Sequence, residues 1–288
     1  MKKWFFVIAV LLLAIYEVYQ QRTEVAGEKP NIAVQEAAQA VIAQDNRRTI
    51  KITKDQVYRG DLLLVNKEYP VREEGVKSDV VRLYSHKELL QGFGLLDTSI
   101  RLSQSVAQTF LEMIRAADKD GVNHFMISSG YRDSKEQSEL YKEMGDARAL
   151  PANHSEHNLG LSLDIGSTSA EMNQAPEGKW LQNNAWKYGF ILRYPKDKSD
   201  ITGIQYEPWH FRYVGLPHSA IMQEKKLTLE EYLELLKEQK NLSTTINGQS
   251  YEISYQTAAN SKTVTVPAGR RYTISGDNRD GVIVTVYP

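Results

Sequence analysis

Apolar residues recur along the chain with two different periods. Between Ser103 and Ala117, Val106, Phe110, Met113, Ile114 and Ala117 fall at helical spacing, and Gly121 ends the run. That spacing predicts a core helix without chemistry of its own. Phe125-Met126-Ile127 predicts a short strand leading into Ser128-Ser129-Gly130-Tyr131-Arg132, where a glycine turn can present Arg132 at a sheet edge. Ser134-Lys135-Glu136-Gln137 has capping-box spacing and predicts a helix to about Met144, with Gly145 past its end. From Leu159 to Ile165 the period drops to two, with the leucines and Ile165 on one face and Gly160, Ser162 and Asp164 on the other. Asp164 therefore points away from the apolar core. A helix introduced by Pro176 turns Trp180, Leu181, Ala185 and Tyr188 inward and stops at Gly189. Phe190 to Tyr194 predicts a central strand closed by Pro195, and Lys196 to Gly203 a polar loop bordering a cleft. Alternation returns at Trp209 to Tyr213: Trp209, Phe211 and Tyr213 share one face, His210 and Arg212 the other.

The ends of the chain read differently. Met1-Lys2-Lys3 precedes an uncharged apolar run from Trp4 to Tyr16, the layout of an export signal. As a helix that run spans about 20 Å, short of the roughly 30 Å hydrocarbon core. Extended through Tyr19 it predicts a membrane signal anchor over residues 1–19, with cleavage near Val25-Ala26-Gly27 as the alternative. Either places the remainder outside the cytoplasmic membrane. Residues 20–55 read as a polar stalk, with a short helix open to Gln35–Ala43 and structure beginning near Val57. Leu62-Leu63-Leu64-Val65 reads as a buried strand or extended segment ended by Pro70.

Residues 56–240 form the main domain, and a capping-box helix opened by Thr228 closes it. After Lys240, short alternating segments and the Asn247-Gly248 hairpin signal predict a small all-β appendage over 241–288. Its roles remain open between wall contact, a lid and plain packing.

Composition removes several chemistries. The chain has 288 residues, 41% hydrophobic and 25% charged, with a net charge of -1, which gives no footprint for nucleic acid. It has no Cys, which excludes thiol nucleophiles, iron-sulfur clusters, Cys-rich structural zinc and a lipoprotein anchor.

His157, Asp164 and His210 are then natural ligands for a catalytic zinc, which takes three protein donors and keeps a fourth position open. His-x6-Asp by itself is equally a surface histidine and a turn aspartate; with Glu207 and His210 downstream, the set favours a metal. Pro208 disfavours helix at Glu207, so Glu207 and His210 must converge through a turn. Arg132 reads either as a solvated loop cation or as the cationic partner that amide hydrolysis needs near its oxyanion. Gln137 reads as the closing residue of a capping box.

Four stretches together resemble the VanY-type zinc D-alanyl-D-alanine carboxypeptidases, relatives of the VanX-type dipeptidases. They are Ser129-Gly130-Tyr131-Arg132, the S-x-H-x2-G-x-S-x-D pattern from Ser155 to Asp164, Gly189 to Pro195, and Glu207-Pro208-Trp209-His210-Phe211-Arg212-Tyr213. The resemblance spans about residues 57 to 240. It implies an α+β fold, with a mostly antiparallel sheet and flanking helices around a zinc cleft. One Zn2+ per chain would sit on His157, Asp164 and His210. Glu207 would be the general base, Arg132 would support the scissile carbonyl, and Ser155 and Gln137 would touch substrate. The expected function is removal of the terminal D-residue from peptidoglycan stem peptides by a membrane-anchored extracytoplasmic enzyme of the glycopeptide-resistance kind. A dipeptidase acting on free D-Ala-D-Ala and a zinc-stabilised wall-binding module without turnover are the alternatives.

Overall fold

The structure, a computed structural model, describes residues 32–36, 46–146, 148–258 and 262–288. The expected anchor over 1–19 lies outside the described residues. Among those described, no helix is long and apolar enough to cross a membrane.

The strands in chain order are β1 (Ile32–Glu36), β2 (Arg47–Ile52), β3 (Val80–Arg82), β4 (Phe93–Leu95), β5 (Arg101–Ser103), β6 (Phe125–Ser129) and β7 (Ser162–Ser167). They continue as β8 (Phe190–Leu192), β9 (His210–Tyr213), β10 (Asn241–Ile246), β11 (Gln249–Thr257), β12 (Lys262–Pro267), β13 (Tyr272–Gly276) and β14 (Gly281–Val286). The α-helices are α1 (Gln104–Lys119), α2 (Ser134–Met144), α3 (Pro176–Asn184), α4 (Ser199–Thr202), α5 (His218–Lys225) and α6 (Leu229–Gln239).

One five-stranded sheet, ordered β4-β6-β7-β9-β8, is antiparallel except where β4 runs parallel to β6. Its apolar face meets α1: Phe110, Met113 and Ile114 join Phe125, Ile127, Leu163, Ile165, Phe190 and Phe211 in one core. Truncating a fully buried phenylalanine such as Phe110 costs about 3–5 kcal/mol. The alternation read from Leu159 to Ile165 holds, although the strand proper starts at Ser162. Before it, Glu156–Leu159 coil into one turn of 3-10 helix, and Gly160 at φ 82° redirects the chain into β7. The segment expected to be a central strand, Phe190–Tyr194, is instead the edge strand β8 and ends at Leu192. Arg193 still donates its backbone N–H to the His210 carbonyl of β9 at 3.1 Å, while its guanidinium turns inward to a buried carboxylate.

The second five-stranded sheet is ordered β1-β10-β11-β14-β13, and β2 pairs with β12. Two pieces of the expected polar stalk are therefore strands rather than tether. Alternation explains β2, which buries Ile50 and Ile52 against Val264 and Val266. The C-terminal sheet is also tied into the main domain. Leu242, Ile253, Tyr255 and Ile283 share a core with Leu62, Leu64, Ile221 and Leu233, and the Asn278 side chain donates to the carbonyls of Leu64 and Pro70. Leu62 to Val65 are buried without joining a sheet, Leu62 lying in a turn.

Candidate metal centre

Register brings the first two candidate ligands together. Asp164 of β7 stands directly opposite His210 of β9, a position where cross-strand side chains on one face meet. On the other side of β7 an irregularity between Ile127 and Ser129 sets Ser129 opposite Asp164. His157 arrives from the 3-10 turn, whose N-cap is Ser155: the Ser155 hydroxyl accepts from the His157 backbone N–H at 3.3 Å.

The imidazoles are oriented by their outer nitrogens. His157 Nδ1 lies 2.6 Å from the Gly130 carbonyl, which can only accept, so Nδ1 carries the proton and Nε2 presents a lone pair. Gly130 is required there, since a Cβ at that position would stand 2.2 Å from the Arg101 carbonyl oxygen. His157 Nε2 is 3.4 Å from Asp164 Oδ2, and His210 Nδ1 is 3.0 Å from Asp164 Oδ1. His210 Nε2 lies 3.4 Å from Glu156 Oε2. One donor atom from each of His157, Asp164 and His210 falls within 4.8 Å of the others.

The donor set fits zinc. Two imidazole nitrogens and a carboxylate oxygen converge, each imidazole is held by a partner on its far nitrogen, and no fourth protein donor closes the shell among the described residues. Burial opposes the charge on Asp164, but the two imidazoles hold its carboxyl well below the usual range. Burial likewise opposes protonation of His210, yet hydrogen bonds to Asp164 and Glu156 raise it to about 9 without a metal.

Sequence reasoning missed Glu156. Its carboxylate is fully buried and meets Arg193 Nε at 2.7 Å, Arg212 Nη1 at 2.8 Å and the Ser162 hydroxyl at 3.2 Å. Desolvation works against that charge, and the two guanidiniums overcome it, holding Glu156 far below the ordinary carboxylate range. Arg193 also forks onto Glu230 of α6 at 2.6 and 2.9 Å. Arg212, expected to face the cleft, is wholly buried in this network. The one sequence signal was its place off the apolar face of β9.

Glu207 reaches the site through a turn: the His210 N–H donates to the Glu207 carbonyl at 3.2 Å. Glu207 Oε2 lies 3.8 Å from His210 Nδ1, and burial raises the Glu207 carboxyl above its ordinary value. Arg132 is aimed by three partners: Nε donates to Gln137 Oε1 at 2.9 Å, Nη1 to the Ser129 hydroxyl at 2.8 Å and Nη2 to the Ser155 hydroxyl at 3.4 Å. The capping box of α2 is Asp133 with Glu136, one residue earlier than expected. Gln137 is thereby released, and it is buried between Arg132 and the Leu150 carbonyl. A cavity of about 700 Å3 runs beside this cluster, lined by Ser128, Ile165, Met172, Tyr206, Pro208 and the exposed Trp209.

Buried, oriented imidazoles with a half-buried carboxyl and an aimed guanidinium nearby are the inventory of a hydrolase centre. Residues 99–216 match the family model described as VanY: D-alanyl-D-alanine carboxypeptidase. A D-alanyl-D-alanine carboxypeptidase of Enterococcus faecium is 54% identical over 295 residues, covering 100% of this chain and 97% of its own. Among solved structures, the vancomycin-resistance D,D-dipeptidase VanXYg in complex with a D-Ala-D-Ala phosphinate analog is 33% identical, with a TM-score of 0.73 over 84% of this chain and 99% of that one. A mutant of the D,D-pentapeptidase VanY from a VanB-type resistance cassette, in complex with Zn(II), is 29% identical with a TM-score of 0.51 over 60% of this chain and 98% of that one. The chain belongs to the VanY family of D-alanyl-D-alanine carboxypeptidases, and it is an enzyme of the carboxypeptidase class.

Proposed function

We propose that this chain is a zinc-dependent D,D-carboxypeptidase that removes the terminal D-Ala, or a terminal D-lactate, from peptidoglycan stem pentapeptides. The observation that carries the reading is the convergence of His157, Asp164 and His210 on one point beside Glu207. Zinc, when bound, supplies Lewis acidity, bringing the pKa of a coordinated water to about 7 and polarising the scissile carbonyl.

The chain's own groups do the rest. Glu207, its carboxyl raised by burial, takes the proton of the attacking water and returns it to the leaving amine. Arg132, locked by Gln137, Ser129 and Ser155, faces the developing oxyanion without needing to reorganise. Ser155 and Gln137 are also candidates to touch substrate, although their observed bonds first of all orient Arg132. The apolar run at residues 1–19 supports an exported, membrane-anchored enzyme working outside the cytoplasm.

Similarity to the dipeptidase VanXYg over 84% of the chain supports a second reading, in which free D-Ala-D-Ala is also cleaved. A substrate panel separates the two: a pentapeptide ending D-Ala-D-Ala, the matching tetrapeptide and the free dipeptide. Release of D-Ala from the pentapeptide supports the proposal, added turnover of the dipeptide supports the bifunctional reading, and cleavage of the dipeptide alone defeats the proposal.

A further inference from the structure

The seam between the two five-stranded sheets holds a second cavity that peptide hydrolysis does not use. It lies at the opposite end of β9 from His210, with Tyr213 and Val214 on one wall and Tyr251, Thr273 and Tyr287 on the other. Its volume is about 550 Å3, within the roughly 300–1,000 Å3 of pockets that enclose small ligands, which favour such seams.

The lining is polar and aromatic together. The hydroxyls of Tyr188, Tyr213 and Tyr251 have no hydrogen-bond partner among the described residues. Burial, with the Asp61 carboxylate nearby, pushes the Tyr213 hydroxyl up to about 12, so it stays a neutral donor and acceptor. The rings of Tyr251 and Tyr287 pack edge to face with centroids 5.9 Å apart.

The charges around the cavity are nearly balanced. Lys77 is paired with Asp61 at 3.3 Å, and Lys187 is held by the Asn184 side chain at 2.8 Å. Arg271 lies over the Tyr287 ring at 3.8 Å, and neither it nor Glu112 of α1 has an ion-pair partner among the described residues. One guanidinium and one carboxylate without ion-pair partners among the described residues thus line the same cavity as the unbonded phenols. An apolar ligand would leave these groups unbonded, which is costly, and an anion would meet Glu112 and Asp61. A neutral molecule carrying many donors and acceptors, with flat apolar faces to lay on tyrosine rings, satisfies them all.

We propose that this seam cavity binds a neutral oligosaccharide. Its assignment to the amino-sugar glycan of the wall rests on the function proposed above, since the same polymer would then offer its stem peptide to the metal centre and its sugar to the seam.

The test uses the full chain in detergent micelles, titrated calorimetrically with chitotetraose, while turnover of a free pentapeptide is followed on the same preparation. Saturable binding is expected, weakened about tenfold by Arg271→Ala and about threefold by Tyr213→Phe, as loss of a charged and a neutral hydrogen bond implies. Neither variant should change pentapeptide turnover. Absence of saturation, binding indifferent to both substitutions, or preferential binding of inorganic phosphate would overturn the site. Equal binding of maltotetraose would overturn its assignment to wall glycan. Pentapeptide turnover without sugar binding defeats this inference alone, whereas sugar binding without turnover upholds it and defeats the peptidase reading.

Discussion

Asp164 and His210 are direct cross-strand partners in the β7–β9 ladder, with Asp164 Oδ1 3.0 Å from His210 Nδ1. Two candidate ligands 46 positions apart in sequence are thus fixed by sheet register rather than by loop geometry. Because both side chains stand on the face away from the apolar core, either can be removed without opening a core cavity. Asp164→Ala and His210→Ala should therefore fold with unchanged far-UV circular dichroism and lose nearly all zinc by elemental analysis. Full metal loading of either variant would show that the ligand set is different.

Glu207→Gln keeps the turn and the shape of the side chain but cannot accept a proton. Its zinc content should match the wild type while kcat for the pentapeptide falls by about 10²–10⁴-fold, the usual share of a general base. Unchanged turnover would remove Glu207 from the chemistry.

Glu156→Gln tests the buried network behind His210. The amide leaves Arg212 without a counter-charge, and loss of the carboxylate that holds His210 Nε2 should weaken zinc affinity about 10–100-fold. In chelated protein, denaturant unfolding should show a loss of about 3–5 kcal/mol at neutral pH. The depressed carboxyl of Glu156 contributes stability above the ordinary glutamate range of about 4.3, and that contribution is lost as pH falls toward its folded value. The gap between variant and wild type should shrink accordingly on acidification.

Arg132 and Gln137 should behave as a pair. Arg132→Ala is expected to lower kcat by about 10²–10³-fold, as removal of an oxyanion partner does. Gln137→Ala frees Nε of Arg132 and should lower kcat less, with little added effect in the double variant, because the two act through one guanidinium. Fully multiplicative effects would show that Gln137 works independently.

His218 is buried between α6 and β14, its Nδ1 2.7 Å from the Tyr232 hydroxyl and its Nε2 2.9 Å from the Thr285 hydroxyl. Burial pushes it down from 6.5 to about 3. Since the unfolded chain takes up the proton first, stability falls as pH drops through this window, by about 1.4 kcal/mol per pH unit. His218→Gln should remove that slope between about pH 6 and 4 in denaturant titrations.

The placement of the candidate ligands was legible because its signals are local. Alternation put Asp164 and His210 off the apolar faces of β7 and β9, and Pro208 forecast the turn that brings Glu207 back. Glu156 stayed hidden because its partners Arg193 and Arg212 lie 37 and 56 positions away, and a buried charge network leaves no periodic trace. β1 and β2 were lost for a related reason. Short strands in a polar stretch declare themselves through partners near the other end of the chain, β10 and β12. The α2 cap was misplaced by one residue because Ser134 and Asp133 are both good caps, and only the structure shows Asp133 accepting from the Glu136 N–H at 2.9 Å.

The central claim is that one zinc on His157, Asp164 and His210 makes this chain a carboxypeptidase. Zinc titrated back into fully chelated protein, with bound metal and D-Ala release from the pentapeptide measured on each sample, tests it directly. Turnover should be absent without metal, rise in proportion to bound zinc and level off at one ion per chain. Release of D-Ala by the metal-free protein, or a full complement of zinc without turnover, would contradict it.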